Sequence, residues 1–153
     1  MRFEEQLRVP VSVPEAWDFL WQTERLAACL PGCRRVEVLE PGKTYRGLFE
    51  DAIGPYKVSF TLDIRVVAVQ PQERVRVEAS GLDRRLGITQ QVALDVALRP
   101  ADAETTVLDV TADVQVLGKI ATLGQFVIQR KAKDIVQQFT RNIAAALEPR
   151  ATR

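Results

Sequence analysis

The feature that most constrains this chain is a late run of apolar residues at steps of three and four, from about Gly118 to Leu147. Ile120, Leu123, Val127, Ile135, Phe139, Ile143 and Leu147 form one stripe, flanked by Gly124, Ile128, Ala132 and Val136. Side chains three and four apart stack on one helical face, so the spacing predicts a long amphipathic helix. The opposite face carries Gln125, Gln129, Lys133, Gln137 and Arg141, which places the helix on a surface rather than inside a bundle. About 28 residues at 1.5 Å each would span roughly 40 Å, longer than most globular helices. Whatever precedes this helix has to offer it an apolar face.

The upstream sequence offers strands. Phe3, Leu7 and Val9 share one parity, with Glu5 among them. Ser12 then caps a short helix with Pro14 in its first turn, carrying Ala16, Trp17, Phe19, Leu20 and Trp21. A second short helix runs from Glu24 to about Cys29 and stops at Leu30-Pro31-Gly32. From Cys33 the period changes to two: Val36 and Val38, then Tyr45, Gly47, Phe49 and Ile53, then Tyr56 to Val66 in strict alternation. Beyond Val66 the phase slips to Val67 and Val69, as at a bulge. Val75 to Ala79, Val92 to Leu98 and Leu108 to Val116 alternate likewise, separated by short turns. Half-apolar strands joined by short turns predict an antiparallel sheet with one wet face. The expected architecture is α+β, with a curved sheet of about seven strands, two short helices after strand 1, and the C-terminal helix across the concave face. Residues 1–148 form a single domain on this reading, and 149–153 a frayed tail.

Composition narrows the chemistry. Of 153 residues, 46% are hydrophobic and 27% charged, as in an ordinary globular protein. Lys and Arg number 21 against 20 Asp and Glu, which argues against nucleic acid as a partner. There is no histidine, so the commonest general acid or base and metal ligand is missing. Cys29 and Cys33 cannot alone make a structural zinc site. They give no disulfide framework either, which suits a reducing, cytoplasmic interior. No signal core and no membrane-spanning apolar run is present. The expectation is therefore no metal, no catalytic constellation and no covalent cofactor.

The order of elements resembles the helix-grip fold of the START-like superfamily, whose members hold lipophilic molecules between helix and sheet. A closer likeness rests on Leu26-Ala27-Ala28-Cys29-Leu30-Pro31-Gly32, on Gly54-Pro55 and on Gly118-Lys119-Ile120-Ala121-Thr122-Leu123-Gly124, with Phe139 and Asn142 further on. Together these are similar to the CoxG family of carbon monoxide dehydrogenase proteins. The resemblance implies a non-catalytic accessory protein that serves a molybdenum hydroxylase of the carbon monoxide dehydrogenase type. It also implies membrane recruitment of that enzyme, peripheral contact at the inner face of the membrane, and a bound quinone or lipid.

For a ligand-binding site, the candidates are Tyr45, Phe49, Asp51, Tyr56, Phe60, Leu94, Leu123, Val127 and Phe139. The competing reading is a fully packed core. The small inward residues Gly47, Ala79 and Ala112 would leave room for an apolar ligand. Glu5, Asp51 and Gln90 are polar on apolar parity, so each needs a partner, water, or a ligand's polar head. Cys29 and Cys33 are read either as buried free thiols or as a redox pair brought together by the turn between them. Lys119, Arg130, Lys131, Lys133 and Arg141 form a solvated basic face that could also meet anionic lipid or an acidic partner. Two rivals remain open: a polyketide cyclase or dehydratase using Asp51, Glu5 or Tyr45, and a ligand-free docking module.

Overall fold

Alternating strands pair in chain order, and the first strand returns to pair with the last. In the computed structural model, which describes residues 1–148, β1 (Arg2–Val9) leads into α1 (Val13–Leu20) and α2 (Thr23–Cys29). There follow β2 (Cys33–Glu40), β3 (Thr44–Ile53), β4 (Tyr56–Gln70), β5 (Arg74–Asp83), β6 (Ile88–Asp102) and β7 (Thr105–Leu117), and then α3 (Gln125–Leu147). The sheet is antiparallel throughout, in the order β1-β7-β6-β5-β4-β3-β2. The expected bulge in β4 falls between Val66 and Ala68, where the register shifts. The tail expected at 149–153 lies outside the described residues.

One expectation needs correction. The stripe from Gly118 is not a single helix: Lys119–Leu123 forms a 3₁₀ turn, and α3 starts only at Gln125. Gly124 separates them with φ 93° and ψ 147°, a left-handed-side conformation that no helix interior holds and that glycine adopts without a Cβ clash. The final helix therefore has 23 residues, roughly 35 Å.

Local chemistry explains the short helices. The Ser12 hydroxyl accepts the amide of Glu15 at 3.4 Å, a long but recognisable N-cap. Leu30 takes an extended conformation ahead of Pro31, as residues before proline do, and α2 ends there. Trp17 and Trp21 meet edge to face, with centroids 5.6 Å apart, and the Arg25 guanidinium lies 4.9 Å over the Phe19 ring.

The concave face closes at both ends. At the helix-capped end, Val9, Ala16, Phe19, Leu108, Ile143 and Leu147 pack α1, the sheet and the end of α3 together. At the other end, which carries the β3–β4 and β5–β6 turns, Phe49, Val58, Phe60, Ile88, Ile120 and Ile128 form a second cluster. Phe3, Ala112 and Val114 join Ala132 and Val136 of α3 over the β1–β7 side. Among the described residues, no helix is long and apolar enough to cross a membrane.

Candidate functional site

Strand register brings the inward side chains into lines across the sheet. Ile64, Ala79, Val92 and Val114 make one line; Val66, Val77, Leu94, Ala112 and Phe3 make the next. Val66, Val77 and Leu94 pack against the helix-capped cluster, Ile64 against the turn-end cluster and Val92 against the β1–β7 cluster. Val114, Ala112 and Phe3 are buried, but Ile64, Val66, Val77, Ala79, Val92 and Leu94 are only half-buried although they face inward. Ile135, Val136 and Phe139 on the facing side of α3 are half-buried as well. Apolar side chains that face each other and still reach a water-sized probe mark unfilled space. The middle of the grip is therefore looser than its ends.

The small inward residues contribute unequally to that space. Ala112 is buried beneath β1. A Cβ on Gly47 would find ordinary contacts with Val36 and Ile64. Ala79 alone of the three stands in the half-open line and joins no packed cluster. Gly81, one line along, is enforced by packing: a Cβ there would stand 2.7 Å from Leu62.

The polar residues on apolar parity meet three different fates. Asp51 is neutralised from above, its carboxylate 3.1 Å from Lys131 Nζ on α3, while its other oxygen accepts the Ala52 amide at 2.7 Å. Glu5 is half-buried on the edge strand, opposite Val110. Gln90 keeps its carboxamide oxygen buried with no hydrogen-bond partner, the one such side-chain atom among the described residues. It faces inward beside Gly81 and Val116, next to the looser zone. An unpartnered buried acceptor is costly unless something donates to it.

The nine candidate residues divide accordingly. Phe49, Tyr56, Phe60 and Leu123 are brought together in the cluster at the turn end, where the Phe49 and Phe60 rings lie 6.3 Å apart. Leu94 and Phe139 belong to the other cluster and border the looser zone. Tyr45 faces the sheet's concave side but turns its hydroxyl to accept the Gly42 amide at 3.0 Å, which pins the β2–β3 turn. Val127 belongs to no packed cluster and stays 38% exposed, because the buried stripe of α3 begins at Ile128. The nine omit Ile64, Val77 and Val92. The parity of these three is legible in the sequence, but their half-burial depends on where α3 and the small helices sit.

Cys29 and Cys33 are both free. Burial pushes each thiol above its ordinary pKa, outweighing Arg25 near Cys29 and the Arg35 backbone at Cys33. Neither is activated as a nucleophile. A depression of about 800 Å³ crosses the sheet over Ile64, Ala79, Val92 and Val114. Asp63, Arg65, Glu78, Ser80, Gln91 and Gln115 also wall it, with no helix residue among its lining, so it is a solvent-facing trough rather than a chamber.

Comparison with known proteins agrees with this geometry. The model of the CoxG family, whose description is that of a carbon monoxide dehydrogenase subunit, matches residues 6–148. The chain belongs to the CoxG family. Its fold resembles that of a conserved protein from Geobacillus kaustophilus, with a TM-score of 0.84 at 22% identity over 96% of this chain and 95% of that one. A START superfamily protein from Mycobacterium smegmatis aligns with a TM-score of 0.70 at 12% identity, covering 95% and 96%. The Zhui aromatase/cyclase from a Streptomyces strain aligns at 0.71 and 14%, covering 96% and 93%. At such identities the likeness is one of fold, and the fold is START-like. Among curated proteins, none matches the chain. The name of the CoxG family ties its members to carbon monoxide dehydrogenase.

Proposed function

We propose that this CoxG protein is a non-catalytic carrier that holds an apolar small molecule, a quinone or another lipid, between its sheet and α3. It would serve a molybdenum hydroxylase of the carbon monoxide dehydrogenase type by handling its electron acceptor. The observation that carries this reading is the band of half-buried apolar side chains, Ile64, Val66, Val77, Ala79, Val92 and Leu94, across the inward face of the sheet. Apolar surface covered there would contribute about 25 cal/mol per Å², and the Gln90 carboxamide would meet a polar group of the ligand. Of the three groups that an acid–base enzyme would draw on, two are engaged elsewhere, Asp51 by Lys131 and Tyr45 by the Gly42 amide, and Glu5 lies on the edge strand opposite Val110. That favours the carrier over the cyclase reading.

The test is mass spectrometry of an organic-solvent extract of the purified protein, with a native mass of the intact chain. A near-stoichiometric quinone or lipid is expected, and Ala79→Trp, which fills the looser zone, should reduce it at least tenfold without unfolding the protein. An extract that stays empty after incubation with ubiquinone, menaquinone and phospholipid would overturn the carrier in favour of a docking module. Ligand retained at full occupancy in Ala79→Trp would place it elsewhere.

A further inference from the structure

Most polar side chains that turn inward or are buried already have their partners. Lys131 holds Asp51, the Tyr45 hydroxyl accepts the Gly42 amide, and Asp83 accepts the Ser59 and Leu86 amides. The buried hydroxyls of Thr106 and Thr140 donate to the Val11 and Gln137 carbonyls. Gln90 Oε1 is the exception among the described residues, buried and accepting nothing.

Its surroundings offer it no donor. Across the sheet Gln90 stands between Gly81 and Val116, with Leu62 beyond Gly81, and the inward residues before and after it on β6 are Ile88 and Val92. The α3 side chains that close the turn-end cluster are Ile128 and Ile135. A single acceptor among apolar side chains does not hold a water, which needs roughly two to four polar partners. Such an acceptor lowers stability, and an apolar side chain of the same shape would serve the core better.

Gly81 gives the carboxamide slack. The oxygen lies 3.4 Å from where a Gly81 Cβ would stand, and Leu62 leans over the same point at 2.7 Å. The Gln90 side chain as a whole is half-buried, as are Ala79 and Val92 in the neighbouring line. It therefore borders the looser zone and has room to swing towards it.

We propose that Gln90 makes the site selective for a ligand that donates a hydrogen bond: an aromatic head bearing a hydroxyl, as in the hydroquinone form of a quinone. An oxidised quinone or an ether offers only acceptors, and an acceptor set against the Gln90 oxygen leaves both unpaired. A phenolic hydroxyl pairs with it. The inference rests on the carrier reading and adds a preference to it, since the reduced form of a redox pair is the one held more tightly.

The experiment is calorimetric titration of the full chain with naphthol and with methoxynaphthalene, in the parent and in Gln90→Met, which keeps the length of the side chain and removes the acceptor. The parent should bind naphthol about tenfold more tightly, and Gln90→Met should hold the two probes within about twofold of each other. In anaerobic titrations menadiol should likewise outbind menadione in the parent alone. Gln90→Met also gives a readout that needs no ligand: losing an unpartnered acceptor should leave its thermal midpoint unchanged or higher. Equal affinity of the parent for both probes would overturn the proposal and leave the carrier standing. A preference that survives in Gln90→Met would overturn it by placing the donor's partner elsewhere, and a lowered midpoint would do so by showing the oxygen to be satisfied within the protein. Binding of neither probe would overturn it too, and the solvent extract then tells whether the carrier reading falls with it.

Discussion

The two halves of α3 are held in different ways. Its C-terminal half sinks Phe139, Ile143 and Leu147 among α1, α2 and the strands. Polar ties reinforce it there: Asn142 donates to the Cys29 carbonyl at 2.8 Å, and Arg25 donates to the Ala146 carbonyl at 3.2 Å. Its N-terminal half buries Ile128, makes one cross-link to the sheet through Lys131 and Asp51, and leaves Phe126 and Val127 in solvent. The contrast teaches that one amphipathic helix can be an anchor at one end and a cover at the other. Charge follows the same division. The turns at the helix-capped end, residues 40–43, 70–74 and 99–105, carry Glu40, Glu73, Asp102 and Glu104 against Lys43, Arg74 and Arg99, whereas residues 53–59, 82–89 and 117–131 at the other end carry Lys57, Arg84, Arg85, Lys119, Arg130 and Lys131 against Asp83.

The sharpest way to break this comparison is to delete a side chain from the anchor. Phe19→Ala should cost about 3–5 kcal/mol by chemical denaturation, because Phe19 is almost wholly buried. Phe126→Ser should stay within about 0.5 kcal/mol of the parent. A large loss at Phe126 would mean that the cover is packed after all.

Next in size is Asp83, whose carboxylate ties the β5–β6 turn to β4 through two backbone amides, at 2.8 and 2.9 Å. Burial works against its ionisation. The Ser59 and Leu86 amides and the Arg85 guanidinium outweigh that, so it titrates below its usual value. A depressed carboxylate stabilises the fold above its unfolded pKa of about 3.9, and that contribution fades as pH falls through the lower folded value. Asp83→Asn should therefore cost about 1–3 kcal/mol at neutral pH. Denaturation in a pH series should show the gap to the parent shrinking only below about pH 4.

Asn142→Ala removes the tie to Cys29 and should cost about 1 kcal/mol or somewhat more, with faster hydrogen exchange at the end of α2. The smallest effect is expected from Lys131→Ala, about 0.5–1 kcal/mol for a partly exposed pair. Its exchange signature should be confined to the first turns of α3. Protection lost instead at Ile143 or Leu147 would show that the halves open as one unit.

The succession of strands and their wet and dry faces were legible because alternation is a local property of the chain, from Tyr56 to Val66 above all, whereas the place of β1 beside β7 was not. Helix ends were less so: the apolar stripe runs unbroken through Gly124, and only its backbone angle divides the 3₁₀ turn from α3. Asp51 was recognisable as a carboxylate that needed a partner, but its neutralisation by Lys131 required knowing which turn of α3 passes over β3. Asp83 carried a faint signal, an acid opening a turn that closes at Gly87. The looser zone was illegible, because Val77 and Val75 look alike in sequence although one is half-buried and the other buried.

The pairing of β1 with β7 also bears on how the molecule is made. The first residue's amino group donates to the Val114 carbonyl at 2.8 Å, across 113 positions of sequence. On the ribosome, β1 waits for its neighbour in the sheet until the chain has been synthesised as far as β7. Until then β1 is an unpaired strand able to pair with strands of another molecule. Such distant closure slows folding, so the β1–β7 seam is where misassembly of this protein should begin.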